Sequence, residues 1–147
     1  MLLAVAGLAG CGQESEPPGE MAPGQEPFLR YCASCHGNAG EGRPPAFPPL
    51  AGSEWLEMPP EAVAAIVLSG LRGEIEVAGE SYRGYMPPMR HIDDDEIAAI
   101  IGYMKSSWSE GDGGIDAGRV AGIRQALSGR GPLEGREGLD EAMESLP

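Results

Sequence analysis

Apolar residues recur at helical spacing in three stretches of the chain, and each stretch predicts a helix. In residues 26–36, Phe28 and Tyr31 are three positions apart and therefore share a face. In residues 55–72, apolar positions repeat every three or four residues. Residues 92–108 show the same spacing over a longer run. The apolar face of this last helix consists of Ile97, Ile100, Ile101, Met104 and Trp108.

The third predicted helix has the clearest end signals. Asp93 is a suitable N-cap residue, and Glu96 stands three positions later, as in a capping box. Carboxylates in the first turn complement the helix dipole, and Lys105 near the other end does so with the opposite charge. Adjacent helix positions point apart, so the three successive aspartates are not a metal site. We expect them to form a solvated cap.

Between the helices the pattern changes. Residues 37–54 hold the densest cluster of glycine and proline, which predicts a long irregular loop. Residues 73–85 begin with alternating polar and apolar positions and then contain Ala-Gly at 78–79. This pattern predicts a short β excursion that turns at the glycine.

The start of the chain resembles a processed secretory segment. Residues 1–10 are apolar but too short to cross a membrane, and no Lys or Arg precedes them, which indicates a signal shortened at its start. Residues 8–11, Leu-Ala-Gly-Cys, resemble a bacterial lipobox, in which the cysteine is acylated. We therefore expect a lipid anchor on Cys11. Residues 11–25 are rich in Gly, Pro and Glu and predict a flexible tether.

The end of the chain, residues 109–147, carries a weaker pattern. Val120, Ile123 and Leu127 recur at helical spacing, which predicts a short additional helix. The glycine-rich remainder predicts a mobile end.

Composition indicates a small domain that is short of core-forming side chains. The 147 residues include 23 Gly and 14 Pro, and aromatic residues make up only 5%. A buried cofactor would supply the missing apolar mass. The net charge of −13 argues against binding to nucleic acid. It suits a basic docking partner, but it would equally serve solubility alone.

Cys32, Cys35 and His36 form a CxxCH motif, which is typical of covalent attachment of a c-type haem. Thioether bonds from the two cysteines would fix the porphyrin edge, and His36 would place its imidazole under the iron as proximal ligand. A zinc site is the alternative, and it would need two more ligands at suitable spacing. The chain has only one other cysteine and one other histidine. The motif therefore favours one bound haem with its iron.

Further motifs follow the CxxCH sequence in a fixed order. Residues 32–42 read CASCHGNAGEG, residues 48–50 read Pro-Pro-Leu, and Met86-Pro87 precedes the last strong helix. Over residues 26–108 this order resembles class I monohaem cytochromes c, and the lipobox adds a resemblance to bacterial lipoproteins.

The resemblance implies an all-α, cytochrome c-like fold with three to four short helices around a covalently bound haem c. In that fold the first and last helices cross. Phe28 and Tyr31 should therefore contact Ile97, Ile101 or Tyr103.

The same resemblance implies roles around the iron. The carbonyl of Pro48 would accept the Nδ1 proton of His36, which fixes the tautomer of the imidazole. Met86 and Met89 are both candidates for the sixth ligand, and His91 is a more distant one. The family pattern favours Met86, because its ligand directly precedes a proline. Methionine is also a common packing residue.

The function implied by the resemblance is electron transfer between redox partner proteins by a non-enzymatic carrier on the periplasmic side of a membrane, anchored through Cys11. An alternative is the electron-accepting subunit of a periplasmic dehydrogenase or reductase complex, with residues 109–147 as its docking surface. A haem catalyst or gas sensor would require an open iron site. The match at Met86-Pro87 counts against that third class.

Overall fold

The computed structural model describes residues 19–110 and 113–146. The signal segment predicted at 1–10 lies outside the described residues. So do Cys11 and most of the tether predicted at 11–25.

Within the described ranges the chain forms six helices and three strands. In chain order they are α1 Gln25–Tyr31, α2 Ala33–His36, α3 Pro60–Ser69, β1 Leu71–Val77, β2 Glu80–Met86, α4 Asp94–Trp108, α5 Ala117–Ala126, β3 Leu133–Glu134 and α6 Gly135–Glu144. None of the helices in these ranges has both the length and the apolar character needed to span a bilayer.

The expectation of an all-α fold with three to four helices is only approximately right. A three-stranded sheet in the order β2-β1-β3 follows α3. Strands β1 and β2 pair antiparallel, and positive φ angles at Ala78 and Gly79 close the hairpin. This hairpin confirms the β excursion predicted for residues 73–85. Strand β3 pairs parallel with β1 and has only two residues, too few to leave a periodic signal in the sequence.

Helices α1 and α4 cross near their aromatic residues. Phe28 is fully buried, and its ring centroid lies 5.4 Å from that of Tyr103 and 5.2 Å from that of Trp108. This contact confirms the expected crossing of the first and last helices of the family domain. A Cβ atom on Gly24, which precedes α1, would collide with the carbonyl oxygen of Ala99 in α4. The glycine therefore allows the close approach of the two helices.

Half of the predicted capping box is present at the start of α4. Asp93 caps the helix, because its Oδ1 accepts a hydrogen bond from the Glu96 backbone N–H at 2.8 Å. The Glu96 carboxylate does not return to Asp93 but accepts hydrogen bonds from Arg30 and the Tyr31 hydroxyl. The glutamate thus ties α4 to α1.

The C-terminal extension, defined here as residues 113–146, is folded onto the domain. Helix α5 lies within the predicted helical stretch and buries Val120 and Ile123. The prediction of a mobile end after α5 is wrong, because β3 and α6 form there and α6 packs against α3 and β1. Leu139 and Ala142, three positions apart on α6, are buried against that core. Because this stretch is rich in glycine, its sequence did not indicate the short apolar face of α6.

Candidate haem site

Two short helices present the CxxCH motif. Cys32 lies between α1 and α2, and its backbone N–H donates to the Phe28 carbonyl at 2.8 Å. The His36 N–H donates to the Cys32 carbonyl at 3.0 Å, so the motif forms one helical turn. Cys32 and Cys35 are half-buried free thiols that line the same cleft as His36. The turn therefore places two thiols and an imidazole along one wall.

His36 is oriented by a backbone carbonyl. Its Nδ1 lies 2.9 Å from the carbonyl oxygen of Pro48 and donates its proton to it. Burial lowers the pKa of the His36 imidazole, and the hydrogen bond to Pro48 opposes part of that effect. The neutral imidazole is therefore favoured, with Nε2 left as the electron-pair donor that iron requires.

The loop 37–54 brings the Pro48 carbonyl to this position. The Gly42 N–H donates to the His36 carbonyl at 2.7 Å, and the Leu50 N–H donates to the Gly40 carbonyl at 2.7 Å. These bonds fold the loop back over the motif. Although the sequence predicts an irregular loop, its backbone is fixed on both sides of Pro48.

An apolar cleft lies beside the motif, between α1, the hairpin and the segment after β2. Its empty space, with the open mouth included, is about 910 Å³. Besides the motif, its walls include Val67, Leu71, Ile75, Tyr82, Tyr85 and Ile92. A large apolar disc such as a porphyrin fits such walls better than a polar ligand does.

A second apolar cavity adjoins the first. Its walls include Leu50, Trp55, Leu56, Val63, Ile66 and Met104. His36 and Met86 line both cavities. A flat group held by these two side chains would extend into both spaces. The residues present therefore fit a haem.

The sixth-ligand candidates differ in position. Met86 ends strand β2, is half-buried, and lines both cavities. Met89 lines the first cavity only. His91 is exposed, lines neither cavity, and packs its ring against Tyr31 at a centroid distance of 5.8 Å. The two methionines are thus brought to the cleft with the CxxCH motif, while His91 is left outside.

The inward face of the hairpin is the part of the site that the sequence reasoning missed. Ile75 and Tyr82 are cross-strand partners, and both line the cleft. The alternation at 74–77 pointed to a half-buried strand, but it did not indicate which ligand the apolar face would cover. Tyr82 is buried in the structure.

The electrostatics of the motif disfavour a thiolate metal site. Burial, together with repulsion from Cys35, raises the pKa of the Cys32 thiol to about 12. Among the residues that the structure describes, no group of three or more His, Cys, Asp or Glu side chains is arranged to hold a metal ion. The zinc alternative therefore lacks its ligand set in this part of the chain.

The fold and this donor set define a haem-binding electron-transfer protein. The chain belongs to the cytochrome c family, whose family model matches residues 21–108. Members of this family carry a covalently bound c-type haem with iron, and they are electron carriers or non-catalytic haem subunits rather than enzymes.

Individual relatives are similar over most of this chain. A cytochrome c-552 of Thermus thermophilus is 40% identical over 97 residues, which cover 63% of this chain and 70% of that protein. A second cytochrome c-552 of the same species is also 40% identical over 97 residues, which cover 62% of that protein. The cytochrome c subunit of a quinone alcohol dehydrogenase from Gluconacetobacter polyoxogenes is 29% identical over 107 residues, 69% of this chain. The chain spans only 22% of that subunit.

Proposed function

We propose that this protein carries single electrons through a six-coordinate haem c, attached at Cys32 and Cys35 and ligated by His36 and Met86, outside the cytoplasm. When bound, the haem iron supplies a one-electron Fe(III)/Fe(II) couple. The observation that carries the proposal is that His36, oriented by Pro48 at 2.9 Å, and Met86 line the same two adjoining cavities.

Each residue has a separate task in this proposal. The two thiols hold the porphyrin covalently, so the cofactor cannot exchange. Pro48 fixes the tautomer of His36 and makes its Nε2 a better electron-pair donor. The soft thioether of Met86 favours the ferrous state and raises the reduction potential. With His36 and Met86 both bound to it, the iron would have no position left for a substrate.

The surroundings of the cleft serve the same purpose. Its apolar walls exclude water, which limits the reorganisation that accompanies a change of charge on the iron. Phe47 and Tyr85 line the cleft and are also exposed large apolar side chains. A redox partner would meet them at the mouth of the cleft, and such contacts are usually small and brief.

Covalent attachment provides the direct test. The mature protein, expressed with a haem maturation system, should gain the mass of one haem and keep it under denaturing conditions. It should also titrate as a single reversible one-electron couple. Changing Cys32→Ala together with Cys35→Ala should abolish retention, whereas Cys11→Ser should leave it intact. Haem that is lost from the wild-type protein on denaturation would contradict the proposal.

A lipid tether at Cys11 is the second part of the proposal. It is supported by the Leu-Ala-Gly-Cys run at residues 8–11 and by the Gly, Pro and Glu content of the residues that follow. In cells fed a labelled fatty acid, the wild-type protein should incorporate the label and partition into detergent. The Cys11→Ser protein should do neither. An unlabelled wild-type protein would overturn the tether and leave electron transfer intact.

A second candidate function is that of a haem subunit in a dehydrogenase complex. The observation that favours it is the 29% identity to the cytochrome c subunit of a quinone alcohol dehydrogenase. Protein purified from its native cells would then co-elute with a dehydrogenase, and its haem would be reduced when alcohols are added. Elution as a single chain without such reduction would favour the free carrier.

A further inference from the structure

Arg124, in the extension, binds the segment that follows the methionine candidates. Its Nη1 donates to the Arg90 carbonyl at 2.7 Å, and its Nη2 donates to the Ile92 carbonyl at 2.7 Å. The Nε of the same guanidinium donates to the Asp94 carboxylate at 2.8 Å. One planar side chain therefore fixes the backbone on both sides of residue 91 and joins it to the start of α4.

Arg90 forms the reciprocal contact. Its Nη2 donates to the carbonyl of Leu127 at 3.0 Å and to that of Arg130 at 2.9 Å. Arg90 and Arg124, which we call the arginine pair, thus each bind carbonyls of the other's segment. The residue directly before Arg90 is Met89, and Met86 lies three positions further back.

The extension also supports the other end of this segment, through Gly70. The Leu133 N–H donates to the Gly70 carbonyl at 3.0 Å. On its other side, a Cβ atom on Gly70 would lie 2.5 Å from the Met86 carbonyl oxygen and 2.9 Å from the Pro88 nitrogen. The backbone at Met86–Pro88 therefore rests against a glycine that strand β3 holds in place.

We propose that the extension positions the sixth ligand, with the arginine pair as positioning residues that keep the segment 86–92 closed over the haem. The inference rests on the proposed function, since it takes Met86 to be that ligand. The family match ends at residue 108, so these contacts come from a part of the chain outside the matched domain. Neither arginine touches the iron, and both act through the backbone that carries Met86.

The expected effect follows from an equilibrium between a closed state, in which the methionine binds the iron, and an open state, in which it does not. An exogenous ligand binds the ferric iron only when the methionine has moved away, so its apparent affinity measures the open fraction. Hydrogen bonds from a guanidinium to carbonyl oxygens are among the stronger ones in proteins. The planar guanidinium of Arg124 reaches the Arg90 carbonyl, the Ile92 carbonyl and the Asp94 carboxylate from three different nitrogens, a spread that the single nitrogen of lysine does not cover. Loss of the guanidinium should therefore enlarge the open fraction even when the charge is kept.

The experiment measures imidazole binding to the ferric, haem-loaded full-length protein, together with the far-red methionine-to-iron band. Arg124→Lys and Arg124→Gln should each raise the apparent affinity for imidazole about tenfold, the factor of one such hydrogen bond, and weaken the band. Arg90→Lys, which alters the other half of the pair, should act in the same direction. Arg119→Gln is the matched control, because Arg119 also lies on α5 and has a carboxylate partner, Glu61.

The outcomes separate this inference from the proposed function. A band that depends on Met86, with imidazole affinities of the Arg124 and Arg90 variants within twofold of wild type, overturns the inference and leaves the proposed function standing. An Arg124→Lys protein that matches wild type, while Arg124→Gln does not, overturns it in favour of a simple charge effect. An equal change in Arg119→Gln overturns it in favour of general loosening. A band that survives Met86→Ala overturns the ligand assignment of the proposed function itself.

Discussion

Gly42 lies against the carbonyl group of Pro48 that orients His36. A Cβ atom on Gly42 would lie 2.7 Å from the Pro48 carbonyl carbon and 2.6 Å from the Pro49 nitrogen. Gly42 also has a φ of +72°, in the left-handed region that favours glycine. The second glycine in the Gly-x-Gly part of the motif is therefore explained by the contact between the loop and the proximal histidine.

Changing Gly42→Ala should disturb the hydrogen bond between Pro48 and His36. The added methyl group displaces the Pro48 carbonyl from its 2.9 Å hydrogen bond with Nδ1. The imidazole then becomes a weaker electron-pair donor, which stabilises the ferric state less. The reduction potential should therefore rise, by up to about 60 mV if the equilibrium preference for the ferric over the ferrous state falls tenfold. Spectroelectrochemical titration of the purified protein measures this shift.

Gly52→Ala is the control for this prediction. Gly52 has nearly the same φ, +73°, but nothing lies within 4 Å of its added Cβ. The substitution should lower the unfolding free energy by about 1–2 kcal/mol, because alanine is strained in the left-handed conformation. The reduction potential should not change. Equal potential shifts in both variants would show that strain, rather than the Pro48 carbonyl, governs the iron.

The Cys32 thiol should be unreactive in the folded haem-free chain at neutral pH. Its pKa of about 12 means that the protonated form dominates at pH 8, and the rate of alkylation should keep rising until the pH approaches that value. In the Cys35→Ser variant, with Cys11→Ser added to leave one thiol, alkylation at pH 8 should be at least about a hundredfold slower than in a free peptide.

Strong denaturant is the internal control for that measurement. Unfolding removes the burial that raises the pKa of Cys32, so the same thiol should then react at the ordinary rate of an exposed cysteine. If circular dichroism shows that the haem-free chain is folded, equal rates with and without denaturant would contradict the buried position of Cys32.

Helix α6 should be part of the cooperative fold. Leu139 is 1% exposed, so Leu139→Ala should lower the unfolding free energy by about 2–5 kcal/mol. Glu137 is exposed in the first turn of the same helix, where its charge complements the helix dipole, and Glu137→Ala should lower the unfolding free energy by no more than about 1 kcal/mol. Guanidinium unfolding of the haem-loaded protein compares the two. Indistinguishable midpoints would indicate that α6 is not packed on the domain.

The sequence predicted the parts of the fold whose signals are local. The N-cap at Asp93, the apolar face of α4 and the alternation at 74–77 each lie within one element, and the structure confirms all three. The hydrogen bond expected between His36 and Pro48 is also present. The family resemblance, and not a local pattern, made this contact between residues 12 positions apart predictable.

Long-range contacts could not be predicted in this way. The pairing of Leu133 with Leu71 joins residues far apart in the chain, and two residues of strand carry no pattern of their own. The contacts of Arg124 with the Arg90 and Ile92 carbonyls depend on how α5 packs on the domain. The sequence alone does not distinguish such an arginine from an exposed one. For the same reason the glycine-rich end appeared mobile from its composition, although α6 buries Leu139.

Ligation of the iron by Met86 is tested most directly by the ferric optical spectrum of the haem-loaded protein, scanned for the far-red methionine-to-iron band. The band should be present in the wild type, lost in Met86→Ala and kept in Met89→Ala. The reduced Met86→Ala protein should also bind carbon monoxide, while the wild type should not. A wild-type protein without the band, or one that binds carbon monoxide readily, would contradict a sealed electron carrier and favour a haem with an open iron site.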